Sequence, residues 1–490
     1  VDNGRVKSAE PRAGPKARNG RAPRRVLLCV QGFPPLAKQA GGVAKDYFAL
    51  CRALIDGLGW TVTIMTPVNV AASGEPDVDR WLATGLLDHA PVGGVLASTR
   101  GDGIATILDL PSLSNIFLFA RLLYSGRYDL CIMDDLLFRA AALLLARAFG
   151  VPSIATTHTD VTGLEVYARI VSMRVAWYLH IASAFCATVH ATVSEVFADT
   201  LRVRYRIPVH AIWPRVLWSE QFCKPPEDFM ERAAKERARW LAYLGFQPRA
   251  ILLFAGRWSS EKRIHLLTQA VPKDCALVIV GDSDTDYADA IESSRSRSVL
   301  PLRRMLSAEE LRVAYAACDL FVSASAFETL GNVVVEAWAS GLPVAVQPSQ
   351  GHLELVVDGG NSFFVDFDDA EKAGARLEEI VAADGPDSPV RVAVRKAGAR
   401  LRAQDFAAEV EDCLLEPALK AAEGWKRRWL LDLGLRILCM MVFLLLWIAA
   451  ALATRLLYAV SRDPFFSYIE PGSAVETVRT DRTCTEDGDP

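Results

Sequence analysis

Two pairs of charged residues in the second half of the chain suit phosphate and sugar chemistry. Arg257 and Lys262 follow the apolar run AILLFA, and Glu328 and Glu336 flank Gly331 with seven residues between them. Two cations at one strand end suit a diphosphate, because arginine offers a planar fork and lysine a point charge. A glycine at a helix start exposes N–H groups to phosphate, and a carboxylate within that helix can accept ribose hydroxyls. Taken alone, an exposed basic loop, a helix-capping acid and a surface acid are the alternatives.

The elements around these loops alternate between short apolar runs and helical patterns. In the first half the runs are VLLCV, WTVTIMTP, YDLCIMDD and VPSIATTHTD, and in the second half they are AILLFA, CALVIVG, DLFVSAS and LPVAVQ. Strands that alternate with helices form parallel, doubly wound sheets. Ligands bind such sheets at the carboxyl ends of the strands. The sequence therefore predicts two α/β domains that face each other across a cleft.

The breaks in this pattern set the expected organisation of the chain. Prolines interrupt it between the two halves, and the far end is polar. The start is rich in arginine, proline, glycine and alanine, which fits either the remnant of a transit peptide or a disordered arm. The expected segments are a basic arm (1–24), a first domain (25–205), a linker (206–248), a second domain (249–424), a membrane anchor (425–460) and a disordered tail (461–490).

Composition excludes several classes of protein. Of the 490 residues 51% are hydrophobic, which excludes a disordered chain, and a net charge of −4 argues against a general nucleic-acid binder. The ten cysteines include no CxxC pair, so we expect neither a disulfide framework nor a zinc module. A reducing compartment is expected.

One segment indicates membrane attachment. Residues 437–454 carry no charge and follow the stretch WKRRW (425–429), a mixture typical of a membrane interface. At about 1.5 Å per residue the segment is barely long enough to cross a bilayer core, so it could span the membrane or lie within one leaflet. A buried core helix is the alternative. If the segment spans, its basic flank places the large N-terminal region on the cytosol-like or stroma-like side.

The second half resembles a known family. The stretch SASAFETLGNVVVEAWASGLPVAV carries an E-x7-E motif and, with GRWSSEK, is similar to family-four glycosyltransferases, which have the GT-B fold. The resemblance covers roughly residues 24–400. The ETLG form and the segment Thr157–Asp160 most resemble enzymes that glycosylate membrane lipids, such as the plant and cyanobacterial sulfoquinovosyltransferases. The stretch PRVLW (214–218) departs from the family at the domain junction, which leaves acceptor contacts open.

The resemblance implies a role for each matching residue. Arg257 and Lys262 would hold the diphosphate of a nucleotide sugar and stabilise the leaving group. Glu336 would bind the ribose and Glu328 the sugar, while His158 would face that sugar from the first domain. The remaining positions that the resemblance assigns to nucleotide-sugar binding are Gly41, Gly42, Gly331 and Asn332.

The resemblance also implies a retaining enzyme that uses a nucleotide-sugar co-substrate and requires no metal. The sequence DSDTD (282–286) contains DxD, a metal motif of another glycosyltransferase fold, but a solvated turn is expected there. The expected reaction is transfer from UDP-sulfoquinovose to diacylglycerol at a chloroplast or other plastid membrane. The alternatives are a GDP-mannose- or UDP-glucose-dependent lipid glycosyltransferase of the same family and an inactive glycosyltransferase-like scaffold.

Overall fold

Each half of the chain folds around its own parallel sheet in the computed structural model. The residues that the structure describes are 23–31, 33, 42–67, 69–72, 75–92, 94–99, 104–108, 113–135, 139–159, 177–178, 180–215, 217, 222, 227–282, 286–427, 434–442, 445, 448 and 466–469. Most of the predicted basic arm and of the predicted tail lies outside them. So does Gly41.

The first sheet has seven parallel strands. In chain order they are β1 (Arg25–Cys29), β2 (Thr61–Thr66), β3 (Leu87–Pro91), β6 (Leu130–Met133), β7 (Ser153–Thr157), β8 (Val189–Thr192) and β9 (Ala211–Ile212). Their spatial order is β3-β2-β1-β6-β7-β8-β9, so the chain reverses direction across the sheet between β1 and β6. The ends of these two strands form the crevice of this sheet.

The second sheet has six parallel strands. They are β10 (Ile251–Ala255), β11 (Ala276–Gly281), β12 (Val299–Arg303), β13 (Leu320–Ser323), β14 (Val344–Val346) and β15 (Phe363–Phe364). The spatial order β12-β11-β10-β13-β14-β15 places the reversal between β10 and β13. The loops that carry the two predicted charged pairs follow these two neighbouring strands.

Helices connect the strands. In the first domain they are α1 (Gly42–Arg52), α2 (Pro76–Thr84), α3 (Leu113–Tyr124), α4 (Arg139–Ala148) and α5 (Glu195–Asp199). Those that follow are α6 (Phe229–Leu244), α7 (Ile264–Ala270), α8 (Asp286–Glu292), α9 (Ala308–Ala316), α10 (Asn332–Ala339), α11 (Gln350–Leu355), α12 (Ala370–Ala383), α13 (Pro389–Ala403), α14 (Phe406–Val410) and α15 (Glu416–Arg427).

Apolar side chains fill both faces of each parallel sheet. Strand β10 is buried along its whole length, and so is β11, because helices cover the sheet on both sides. Separate clusters of buried residues lie above and below each sheet. This explains why continuous apolar runs, rather than alternating ones, predicted these strands correctly.

The region predicted to be a linker, 206–248, is partly built into the second domain. Helix α6 packs Ala233, Trp240 and Leu244 into the core of that domain, together with Leu217 and Phe222. The sequence did not predict this packing, because the prolines and the many charged residues indicated a linker. Only a few widely spaced residues of the helix are buried, so its apolar face is narrow.

The chain returns to the first domain after α13. Ala407, Val410, Leu414, Leu415 and Ala418 join the core of the first sheet, although the sequence assigned residues up to 424 to the second domain. These residues tie the two domains together through the chain itself. The end of the second domain could not be predicted from the sequence. The pattern of a helix indicates which of its faces is apolar, but it does not indicate which sheet that face packs against.

Two expectations for the C-terminal region differ from the structure. Phe466–Ile469 is strand β16, paired antiparallel with β4 (Gly94–Thr99), which pairs with β5 (Ile104–Leu108). These four residues therefore form a strand within the segment 461–490, which was predicted to be a disordered tail. No helix within the described residues has the length and apolar character needed to cross a membrane, so the predicted transmembrane helix is not supported. Residues 434–442 are helical, and 449–460 lie outside the described residues.

A glycine inside α13 is expected to be essential for stability. A Cβ at Gly398 would collide with the carbonyl oxygen of Trp338 on α10. We expect Gly398→Ala to lower the free energy of unfolding by about 1–3 kcal/mol because overpacking outweighs the gain in helix propensity. The measurement is denaturant unfolding followed by tryptophan fluorescence. The control is Gly424→Ala in α15, where a Cβ meets nothing within 4 Å. Equal effects of the two substitutions would contradict the prediction.

Candidate active site

The loops after β10 and β13 bring two of the predicted charged residues into contact. Lys262 lies at the end of a short 3-10 turn, and its Nζ donates a hydrogen bond to Oε1 of Glu328. Both side chains are about one-fifth exposed. Arg257 lies farther out, with its Nη2 3.2 Å from Oε1 of Glu261. The structure therefore joins Lys262 to Glu328, while Arg257 pairs within its own loop.

The shape of the loop after β10 depends on a glycine in the neighbouring strand. Gly281 ends β11 with φ +151°, and a Cβ there would collide with the carbonyl oxygen of Gly256 and approach the indole of Trp258. Only glycine permits this close approach of two strand ends. The fully buried Trp258 then fixes the course of the chain between Arg257 and Lys262.

Glu328 is an ionised carboxylate. Burial would raise its pKa, but the charge of Lys262 and hydrogen bonds hold the pKa below the usual value. The side chain of His352 is fully buried, with Nδ1 2.8 Å from the carbonyl oxygen of Gln347. Since a carbonyl only accepts, Nδ1 carries the proton, and burial lowers the pKa of the ring so that it stays neutral. Nε2 is then an acceptor, and it has no partner within the described residues.

Glu336 is held by both domains. Its side chain is 4% exposed, and its carboxylate accepts a hydrogen bond from the hydroxyl of Tyr315 at 3.1 Å. Nζ of Lys45, on α1 of the first domain, lies 3.2 Å from Oε1 of Glu336. A buried carboxylate needs such partners, because an uncompensated charge in the interior is strongly unfavourable. The predicted ribose-binding residue therefore also forms an ion pair between the domains.

A second contact between the domains lies beside the first. Nδ2 of Asn332, the first residue of α10, is 3.5 Å from Oδ1 of Asp46. Gly42 faces the same amide, since a Cβ there would lie 3.0 Å from Nδ2. Gly331 caps α10 in the left-handed conformation at φ +80°. The predicted residues Gly42, Gly331 and Asn332 thus meet in the cleft.

His158 lies directly after β7 and is 2% exposed. Its Nδ1 is 3.5 Å from Oδ1 of Asp134, and its ring packs against Tyr47 and Trp213 at 5.3 and 5.4 Å between centroids. Burial would lower its pKa, but Asp134 and neighbouring acids raise it. These acids therefore stabilise the imidazolium form relative to that of a free histidine. Its charge also acts on Asp46, which connects His158 to the contact between the domains.

Asp134, Asp135 and His158 offer ligand atoms within 4.8 Å of one another, a spacing that could hold a metal ion. Oδ2 of Asp135 accepts hydrogen bonds from the backbone N–H groups of His158 and Thr159, and Oδ1 lies 2.9 Å from Nε2 of His180. These bonds give Asp135 a structural role in positioning His158. That the protein requires no metal stays a prediction.

Sequence analysis missed several residues that complete this site. Lys45 and Asp46 follow Gly42 closely, near the start of α1. Because Gly42 was a predicted site residue, this short spacing could have identified both as candidates. Tyr315 and His352 had no such signal, because each reaches the site from a helix whose periodicity predicts only burial. Asp282, from the DxD sequence, instead accepts a hydrogen bond from Nε of Arg303 at 2.9 Å.

The two domains match two family models. Residues 249–383 match the family described as glycosyl transferases group 1, and residues 41–212 match the glycosyl transferase 4-like domain. Together these regions contain every predicted site residue.

Among curated relatives, the chain is similar to a GDP-mannose-dependent alpha-mannosyltransferase of Mycolicibacterium smegmatis, 32% identical over 46% of this chain and 58% of that protein. D-inositol 3-phosphate glycosyltransferase 1 of Catenulispora acidiphila is 28% identical over 84% of this chain and 99% of its own length. A sulfoquinovosyl transferase of Arabidopsis thaliana is 28% identical over 32% of this chain and 31% of its own. The chain spans about half the length of the mannosyltransferases.

Solved structures share the fold. Anabaena HepE, in complex with UDP and glucose, has a TM-score of 0.54 at 17% identity, with 80% of this chain and 98% of that chain covered. The catalytic domain of starch synthase IV from Arabidopsis thaliana has a TM-score of 0.57 at 14% identity, covering 82% and 100%. The predicted GT-B arrangement of two parallel sheets is confirmed.

The pH dependence of stability should report the contact at Asp46. Burial raises its pKa from 3.8 to about 6, although His158, Asn332 and Lys45 favour the charged form. Between these pH values the folded chain keeps a proton that the unfolded chain releases, so the free energy of unfolding falls as pH rises. We expect Asp46→Asn to be more stable than wild type at about pH 8, by about 3 kcal/mol, and similar below about pH 4.

Urea unfolding across this pH range measures the difference. Asp387→Asn, at a carboxylate that is 99% exposed, is the matched control and should follow wild type at every pH. A constant offset between Asp46→Asn and wild type over the whole range would disprove the assignment.

The ion pair between the domains can be measured by a double-mutant cycle. Lys45→Met leaves the buried carboxylate of Glu336 without its cation, and Glu336→Gln removes the charge instead. We expect a coupling free energy of about 1–3 kcal/mol between the two sites, because each substitution alone leaves a buried group poorly paired. Additive effects in thermal unfolding would show that the two groups do not interact.

Proposed function

Since both of its domains are glycosyltransferase domains, we propose that this protein is an enzyme that transfers a hexose from a nucleotide sugar to a membrane lipid, with retention of configuration. The observation that carries the proposal is the convergence of Lys262, Glu328 and Glu336 with Lys45 and His158 at one cleft. Cations, carboxylates and a helix N-terminus meet there, which suits a donor with a diphosphate, a ribose and a sugar.

In the proposed complex, Lys262 and Arg257 bind the diphosphate. A phosphate would compete with Glu328 for Lys262, so donor binding frees the Glu328 carboxylate to accept sugar hydroxyls. In this arrangement the Glu328 carboxylate accepts hydrogen bonds from the sugar and does not act as an acid. The ribose hydroxyls take the place of Lys45 at Glu336.

The transfer step breaks the bond between the anomeric carbon and the diphosphate oxygen. The acceptor hydroxyl attacks from the same face, and its proton passes to the departing phosphate, so that the configuration is retained. Lys262 and Arg257 stabilise the negative charge that develops on the leaving nucleotide, an effect that is strong in a cleft with little water. The cationic form of His158 holds a sugar hydroxyl by donating a hydrogen bond. No metal enters this scheme.

The leading donor is UDP-sulfoquinovose and the leading acceptor is diacylglycerol, in sulfolipid biosynthesis at a plastid membrane. The support is the ETLG and THTD sequences and the similarity to the Arabidopsis sulfoquinovosyl transferase. A GDP-mannose-dependent reaction is the second candidate, favoured by the similarity to alpha-mannosyltransferases over a longer part of this chain.

The donor and acceptor are identified by product analysis. Purified full-length protein in detergent is mixed with diacylglycerol and UDP-, GDP- and ADP-sugars that include UDP-sulfoquinovose, and lipids are analysed by mass spectrometry. Formation of a sulfoquinovosyl lipid by wild type but not by Glu336→Ala would support UDP-sulfoquinovose as the donor. Formation of a hexosyl lipid from GDP-mannose would support the second candidate. Failure to bind any of the nucleotides, measured by calorimetry, would favour an inactive scaffold and overturn the proposal.

Removal of the lysine in the diphosphate loop should abolish most of the activity. We expect Lys262→Ala to lower kcat by about 100- to 1000-fold, because it removes a cation that stabilises the leaving group. Initial rates of nucleotide release measure this effect. The control is Lys235→Ala, which removes a lysine of the same size that pairs with Glu231 on the exposed side of α6. Equal rates for the two variants would exclude the proposed role of Lys262.

A further inference from the structure

An apolar surface covers part of the first domain away from the cleft residues. Phe117 and Tyr124 on α3 are 69% and 80% exposed, and Phe185, in the turn Ser183–Cys186, is 67% exposed. Large apolar side chains exposed together mark a site of interaction, whereas single ones are common on any protein.

The C-terminal helical residues extend this surface. Cys439 is buried in the same cluster as Phe119 and Leu123 of α3, so this helix lies against the first domain. The exposed side chains of this region are apolar and about half to two-thirds exposed: Leu435, Ile437, Leu438, Met441, Leu445 and Ile448. Within 434–442, Leu435, Leu438 and Met441 recur every third residue, so they share one side of the helix.

The turn after α4 contacts both α3 and this helix. The rings of Tyr124 and Phe149 lie 6.4 Å apart, and the guanidinium group of Arg436 lies over Gly150, the next residue after Phe149. Cys186, which follows Phe185, packs against the core cluster that contains Cys439. We call the exposed side chains of α3, Phe185 and the C-terminal helix the apolar face.

Cations outnumber acids around the apolar face. The elements α3, α4, Ser183–Cys186 and 434–442 contain no aspartate or glutamate. They and the turn after α3 contribute Arg121 and Arg127, which are exposed, and Arg436, which is partly exposed, whereas the nearest acid beyond that turn is Asp129. A face with apolar side chains and an excess of cations is a poor match for a second copy of itself, but it complements a bilayer that contains anionic lipid headgroups.

We propose that the apolar face docks this protein onto the surface of an anionic lipid bilayer, with the C-terminal helix lying along the membrane. The inference rests on the proposed function in one respect, since a lipid acceptor must reach the cleft from a membrane. The face belongs to the first domain, so docking brings that domain to the membrane while the second domain keeps the donor residues.

Vesicle flotation of the full-length chain tests this docking. Vesicles of phosphatidylcholine alone are compared with vesicles of phosphatidylcholine and phosphatidylglycerol. We expect binding to the mixed vesicles, weakened by salt, and a loss of at least about tenfold in partitioning for Leu438→Glu combined with Met441→Glu. Phe117→Glu, on a different helix, should show the same direction of change if the double variant does not fold.

The matched control substitutes two exposed valines of the second domain, Val357→Glu with Val392→Glu, which are 63% and 50% exposed. This control should float like wild type. Unchanged flotation of the face variants would overturn the proposal, as would resistance of the bound wild-type chain to alkaline carbonate, which would indicate a spanning segment. If light scattering shows a dimer of the wild-type chain that dissociates in the face variants, the apolar face binds a second copy of this chain and the membrane proposal is wrong.

A measurement of nucleotide binding distinguishes failure of the docking proposal from failure of the proposed function. Calorimetry with the nucleotides should give the same affinity for the face variants and for wild type, because the face lies outside the cleft. Loss of flotation with retained nucleotide binding supports docking independently of catalysis. Normal flotation of a chain that binds no nucleotide would keep the docking surface and reject the glycosyltransferase activity.

Discussion

The arrangement of the site depends on one buried charge. The carboxylate of Glu336 is buried in the second domain, and its cation is Lys45 of the first domain. Because the carboxylate has little contact with water, the nearby cation stabilises it strongly. A change in the spacing of the domains would separate Glu336 from Lys45, so donor recognition and domain arrangement are linked through a single carboxylate.

Parallel sheet topology explains why the chemical groups collect in one place. In each sheet the chain reverses direction between two neighbouring strands, and the loops at those strand ends must diverge and leave a crevice. Lys262 and Glu328 lie in two such loops of the second sheet. In the first sheet, Asp134 follows β6 and lies beside His158. Their electrostatic environment then shifts their pKa values in opposite directions, lowering the pKa of Glu328 and raising the pKa of His158.

The C-terminal region links this chemistry to the outer surface of the first domain. After α13 the chain crosses back and buries Leu414 and Leu415 in the first core, and Cys439 then packs beside α3. The first domain is thus built from both ends of the chain. This arrangement explains how an apolar C-terminal segment can contribute to the surface of the domain that faces the acceptor in the proposed reaction.

The strands buried on both faces, the two-domain α/β fold, and the loops that carry Lys262, Glu328 and Glu336 could be predicted from the sequence, because these features depend on local runs and short spacings. The contact of Lys45 with Glu336, 291 positions away, and the position of His352 near Glu328 could not be predicted. Nor could the packing of α14 and α15 on the first sheet. Such contacts depend on how separate elements pack, and helical periodicity shows that a face is buried without showing what covers it.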